Sequence, residues 1–310
     1  MNYNLIKSRP TQLAVSVVAA LLLAEVGLRL LGFGHPLIYE ASSAGYELAP
    51  SQTSTRLGKT VHVNALGLRG PESTPMPVAG VTRFLSLGDS VANGGAQIND
   101  NQTYPARVQT DLRNLGVNAE VLNASAGGWA IENERNWLRE HGTLGASAIL
   151  LEINEKDLDQ SYVNSTILGA NPSFPVQYPT TAIGELIGRY VLPKLGLAKP
   201  AADPGSTAGG TNSEAEIDML AAVTDIEEIA AHNKAKLIIM YWDPHLGAPA
   251  PETVATREKL FAYTQRLGIP VVRPDLSALP TWKTNFRDAM HPNATGNLII
   301  AKELANQIKS

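Results

Sequence analysis

From Arg83 onward, short apolar runs alternate with longer amphipathic stretches. That alternation restricts the chain to a parallel sheet with helices packed on both faces. The runs Arg83–Leu87, Ala119–Leu122, Ala148–Ile153, Lys236–Tyr241 and Pro270–Val272 read as strands. Ala148–Ile153 is apolar throughout except for Glu152, the mark of a strand covered on both faces. Helices are expected over Tyr104–Leu115, with Pro105 in the first turn and Gly116 as its stop, and over Ile131–His141, ended by Gly142. Others are expected from the Ser213-Glu214-Ala215-Glu216 capping box to His232, over Thr253–Leu267, and from Asn293 to about Ile308. The expected fold is therefore α/β: a three-layer α/β/α sandwich with a parallel sheet of about five strands, over residues 81–310. An insertion over 158–212 carries a helical part (Ala182–Leu195) and a low-complexity part (Ala198–Asn212). An insertion of that length beside a sheet is positioned to be a lid or a substrate-binding region.

The 310 residues leave room for more than this domain. Lys7 and Arg9 precede an apolar run from Leu13 to Phe33, broken only by Glu25 and Arg29. A bilayer crossing needs roughly 20 such residues. Glu25 and Arg29 are four apart and can pair on one helix face near the end of the run. Residues 1–10 are expected to be cytoplasmic and 11–33 a transmembrane anchor, N-terminus in by the positive flank. A cleaved signal peptide is the competing reading, although Leu22 and Ala24 make a poor cleavage site. Either way the remainder is exported, to the periplasm or cell exterior. Residues 34–80 read as an extension and linker with a strand near Thr60–Val63. There Arg69 projects from a turn, to pair with an acid on the main domain or to remain solvated. The net charge of −4 offers no basic footprint for nucleic acid, and the absence of cysteine excludes thiolate chemistry and disulfides. No metal cluster or phosphate loop is present in the sequence, and no cofactor is expected. His245, after Asp243-Pro244, reads as a turn residue.

Two short segments carry the chemistry. Phe84-Leu85-Ser86-Leu87-Gly88-Asp89-Ser90-Val91 sets a serine at the C-terminal end of the first strand, where open α/β sheets hold their ligands. Asp288-Ala289-Met290-His291-Pro292 spaces a carboxylate and an imidazole by three residues. The acid can then orient one ring nitrogen while the other faces a nucleophile, which serine requires because it is inert at its own pKa.

These segments resemble the first and last blocks of the SGNH hydrolases, also called the GDSL esterase family. The resemblance implies Ser90 as nucleophile, His291 as base and Asp288 as its orienting acid. Val121-Leu122-Asn123-Ala124-Ser125-Ala126-Gly127-Gly128 is similar to the second block. By that likeness Gly128 N–H, with Ser90 N–H, belongs to the oxyanion hole. The third block departs from the family. Where Gly-x-Asn-Asp is expected, the chain reads Asn154-Glu155-Lys156-Asp157. In direct register Lys156 replaces the donor asparagine; a two-residue shift makes Asn154 the donor instead.

The resemblance covers about Arg83 to Lys309. The pieces Glu25-Val26-Gly27-Leu28-Arg29 and Asn64-Ala65-Leu66-Gly67-Leu68-Arg69 are similar to membrane-anchored bacterial members acting in the cell envelope or on exported polysaccharide. The implied function is an extracytoplasmic serine esterase acting on a short acyl group, acetyl on a carbohydrate being the expectation. An O-acetyltransferase differs only in its acceptor. The opposing expectation, carried by the altered third block, is a non-catalytic envelope protein that keeps the fold for binding or assembly.

Overall fold

The computed structural model describes residues 9–197, 212–243, 250–274 and 282–309. Most of the low-complexity stretch, and His245, lie outside the described residues. Helix α1, Arg9–Leu30, is followed by two antiparallel hairpins, β1 (Tyr39–Ser42) with β2 (Gly45–Leu48) and β3 (Gln52–Arg56) with β4 (Lys59–Val63). The main domain then alternates: β5 (Thr82–Gly88), α2 (Ser90–Asn93), α3 (Tyr104–Asn114), β6 (Ala119–Ser125), α4 (Ile131–His141) and β7 (Ala148–Asn154). The insertion contributes one helical segment made of α5 (Ala182–Leu186), a π-helical turn (Ile187–Val191) and α6 (Leu192–Lys194). The chain closes with α7 (Asn212–His232), β8 (Lys236–Trp242), α8 (Pro251–Leu267), β9 (Val271–Val272) and α9 (Ala294–Lys309).

The sheet is five-stranded and parallel, in the order β6-β5-β7-β8-β9. Its layering follows from the period of two along each strand. Leu85, Leu87, Ile149, Leu151, Leu237 and Ile239 share one buried cluster with Trp137 of α4, Val223 of α7 and Leu260 of α8. The alternate residues Phe84, Leu150, Ile238 and Met240 share another with Val108 of α3 and Leu304 of α9. This is the three-layer α/β/α sandwich that the alternation predicts. The second strand runs on to Ser125 because Asn123 and Ser125 stay in register with Ser86 and Gly88.

The chain leaves β5 toward β6 on one side and returns to β7 on the other, so the strand order reverses at β5. A crevice opens at the C-terminal end of such a strand. Residue 90 begins there.

Helix α1 is 22 residues long, its most apolar 18-residue window has a mean hydropathy of 2.1, and none of its residues is buried. By length and composition it suits a membrane span or a signal sequence. Glu25 and Arg29 pair at 2.7 Å. Both also reach the insertion. Glu25 accepts hydrogen bonds from the Ala182 and Ile183 N–H groups at the start of α5, and Arg29 donates to the Thr180 carbonyl. The Gly34 N–H donates to Glu185 at 2.6 Å, and Arg56 of β3 pairs with the same carboxylate. The last turn of α1, the β3–β4 hairpin and α5 are thus bonded together.

Candidate active site

Gly88 ends β5 and Asp89 caps α2, its Oδ1 accepting from the Val91 N–H at 2.7 Å. The strand-to-helix turn is tight: a Cβ on Gly88 would lie 2.7 Å from the Ala92 Cβ and 3.0 Å from the Glu152 Cβ. That geometry sets the Ser90 hydroxyl at the mouth of the crevice. Its Oγ lies 2.8 Å from His291 Nε2. On the far side of the ring, Nδ1 lies 2.9 Å from each oxygen of Asp288. Two segments about two hundred residues apart in sequence therefore meet in one hydrogen-bonded line.

The loop that carries Asp288 and His291 is held from several sides. The Met290 and His291 N–H groups donate to Asp288 Oδ1, and Trp242 Nε1 donates to the Met290 carbonyl. Burial acts to raise the Asp288 pKa, but those two N–H donors and the neighbouring imidazole outweigh it, and the carboxyl stays below its ordinary range. Arg287 reaches back to the Gly94 carbonyl at 2.6 Å and to Gln97 at 2.7 Å, tying this loop to the turn that follows Ser90. The other side of that turn is gripped by Arg69. Its buried guanidinium donates to the carbonyls of Asn93, Gly95 and Ile98 and pairs with Asp100 at 3.0 Å. Of the two alternatives for Arg69, the ion pair is the one observed.

Gly127 and Gly128 lie beside the serine, a Cβ on Gly127 being 3.8 Å from the Ser90 Cβ. Gly128 has φ +79°, a left-handed conformation that suits glycine. Their carbonyls are drawn away from the crevice: Tyr46 OH donates to Gly127 O and Gln160 Nε2 to Gly128 O, both at 2.8 Å.

The third segment behaves differently. Asn154 is fully buried, and its side chain is engaged at both ends. Its amide nitrogen donates to Glu152 at 3.2 Å and its oxygen accepts from the Lys156 N–H at 2.9 Å. Asp157 accepts from the Asn154 N–H at 2.7 Å. Lys156 is exposed on the turn after β7. Among the described residues, no hydrogen bond joins Asn154 or Lys156 to Ser90.

Behind the serine lies a feature that pattern reading passes over. Glu134, Glu152 and Asp157 are buried, with Asp89 between them, and Asp89 N–H donates to Glu152 at 3.3 Å. Burial comes first, and the mutual repulsion of these carboxyls adds to it; together they raise Glu134, Glu152 and Asp157 well above the usual carboxylate range. The lone Glu152 in an apolar strand was the available signal. Glu134 gave none, since it sits in an ordinary amphipathic helix. Among the described residues no group of acids and histidines has the arrangement of a metal site.

No protein-family model matches the chain, and no curated protein sequence matches it. Several solved structures are similar to it. One is the psychrotrophic esterase EstA from Pseudoalteromonas sp., 13% identical with a TM-score of 0.44, covering 74% of this chain and 97% of that one. Another is a member of the lipolytic protein G-D-S-L family from Veillonella parvula, 13% identical with a TM-score of 0.44, covering 74% and 98%. A third is AlinE4, an SGNH-hydrolase family esterase, 15% identical with a TM-score of 0.42, covering 75% and 97%.

Proposed function

We propose that this chain is a membrane-anchored, extracytoplasmic serine esterase of the SGNH type. The observation that carries the reading is the line Ser90 Oγ–His291 Nε2–Asp288, with contacts of 2.8 and 2.9 Å. His291 takes the proton from Ser90 as its oxygen attacks the ester carbonyl, and Asp288 stabilises the imidazolium that forms. The tetrahedral adduct collapses, the proton passes to the departing alcohol, and an acyl-Ser90 ester remains. A water deprotonated by the same imidazole then releases the acid, or a second alcohol takes the acyl group in its place. The N–H groups of Ser90 and Gly128 hold the oxyanion, with Asn154 or Lys156 as the third donor. The acyl group is short, acetyl on a carbohydrate, which rests on the likeness of the front-half motifs to envelope-associated members.

A second reading is favoured by one observation: the Asn154 amide is already bonded to Glu152. If that bond persists with substrate, the hole is one donor short, which costs on the order of 100- to 1000-fold in rate. A binding or assembly protein on the same framework would tolerate this.

The test is labelling of the full chain, in detergent, with a fluorophosphonate probe and turnover of p-nitrophenyl acetate, beside Ser90→Ala. Labelling and turnover that vanish in Ser90→Ala support the esterase. Their absence in the parent chain favours the binding protein. In an active chain, Asn154→Ala and Lys156→Ala separate the two donors: unchanged rates in both would remove this oxyanion assignment.

A further inference from the structure

The helical segment Ala182–Lys194 carries apolar side chains that the fold does not cover. Ile187, Val191 and Leu195, spaced by four, are 42%, 38% and 64% exposed, and Leu197 beyond them is 72% exposed. Its other side is buried through Ala182 and Glu185. A stripe of this kind on a monomeric surface marks an interaction site.

What lies beside the stripe identifies its partner. The segment begins on the last turn of α1, where Glu25 accepts from its first N–H groups and Arg29 donates to the Thr180 carbonyl two residues upstream. The tip of the β3–β4 hairpin reaches the same level: the Leu57 N–H donates to the Leu31 carbonyl at 2.9 Å, and the Leu57 side chain is 63% exposed. The end of α1, the Leu57 tip and the start of the segment that carries the stripe are thus held together by these bonds. The charges agree with a lipid surface. The acid within the segment, Glu185, is turned inward to Arg56 and to the Gly34 N–H. Lys194 is exposed, while Arg189 is half-buried and lies 3.8 Å from Glu185. An exposed apolar stripe ending in a lysine suits a helix lying in the headgroup layer.

We propose that Ala182–Lys194, with the Leu57 hairpin tip, lies in the lipid headgroup layer of the membrane that α1 crosses, as a second and interfacial contact. This rests on the reading of α1 as a retained anchor, which the test treats separately. The chain has no cysteine, so single sites can be labelled without background.

Ile187→Cys, Val191→Cys and Leu195→Cys, with Leu21→Cys inside α1 and Leu298→Cys on α9, are spin-labelled in the full chain and reconstituted into vesicles containing anionic lipid. Relaxation by oxygen and by a water-soluble nickel chelate is read at each site. The expected result is oxygen relaxation exceeding nickel relaxation at the three stripe sites and more strongly at Leu21, with the reverse at Leu298. Nickel-dominated relaxation at the stripe with a lipid-like Leu21 overturns the proposal and leaves the anchor standing. Aqueous behaviour at both overturns both. A lipid-like stripe with an aqueous or missing Leu21 supports the contact and removes the anchor. Spin–spin broadening at the stripe that disappears on dilution with unlabelled chain overturns it in favour of a second copy.

Discussion

Glu134 offers a prediction with a sign and a size. Its carboxyl is buried behind Ser90, and neither oxygen finds a hydrogen-bond partner among the described residues. The charges that face it are all acidic: Asp157, Asp89, Glu132 and, from β7, Glu152. Its folded pKa is therefore raised well above 4.5, by burial first and by these neighbours second. A carboxyl of this kind keeps its proton when folded and releases it on unfolding. Its stabilising contribution is whole below the unfolded pKa of 4.5 and is lost progressively as the pH climbs from there to the raised folded pKa. Within that window one group removes about 1.4 kcal/mol per pH unit. Glu152 and Asp157 are raised as well and act in the same direction.

Glu134→Gln keeps the shape and removes one titration. Any fixed cost of the amide is the same at every pH, so the change in slope is the quantity to read. With rising pH the variant should lose stability more slowly than the parent, by up to about 1.4 kcal/mol per pH unit within the window. For a chain of this size each kcal/mol is roughly 2–4 °C in midpoint. Trp129 and Trp242 are buried and report unfolding through their fluorescence, so thermal scans of parent and variant at pH 5.5, 6.5 and 7.5 suffice. Midpoints that run parallel across the range would refute the reasoning, because they would mean that Glu134 is already ionised in the folded chain.

Three further outcomes can be checked. Arg69→Met strips the turn after Ser90 of its donors to Asn93, Gly95 and Ile98 and leaves Asp100 with His62 alone. It should cost about 2–3 kcal/mol in denaturant unfolding, with Arg69→Lys rescuing little because an ammonium cannot reproduce the fork. Gly296→Ala would bring a Cβ to 2.5 Å from the Asn285 carbonyl and 2.8 Å from the Pro292 Cβ. The displaced loop carries His291, so fluorophosphonate labelling should slow while stability falls by about 1–3 kcal/mol. Asp288→Asn should lower kcat/KM for p-nitrophenyl acetate by about 100-fold or more with little change in stability, since the carboxylate is half-exposed.

The architecture was legible because each strand of the five-stranded sheet announces itself as an apolar run and the longer main-domain helices lie between them. Ile131–His141 matches its expected bounds residue for residue. That Ser90 and Asp288–His291 would meet was legible from two short local motifs, a serine at a strand end and an Asp-x-x-His turn. The buried acids were not. Glu132, Asn133 and Glu134 read as the polar start of a surface helix. They are covered because the hairpin and the insertion close over them, Asn133 bonding to the carbonyls of Ala44 and Val163. The β1–β2 hairpin also escaped notice: its strands are four residues each and too short for a period to show. Linker residues 73–80 read as a spacer, yet Ser73, Thr74 and Pro75 all receive hydrogen bonds from the buried Arg83. No local pattern reports a contact made across so many residues.

The bonding of the last turn of α1 to α5 and to the β3–β4 hairpin has a mechanical consequence. A catalytic domain on a slack stalk would sweep a hemisphere above its membrane. A domain clamped at Glu25, Arg29 and Gly34 has lost that swing. On the reading of α1 as an anchor, Ser90 travels at one altitude and in one attitude, like a tool on a fixed mount. It then meets substrate by lateral diffusion in two dimensions, and lengthening the joint at Gly34 would change which acyl groups lie within reach.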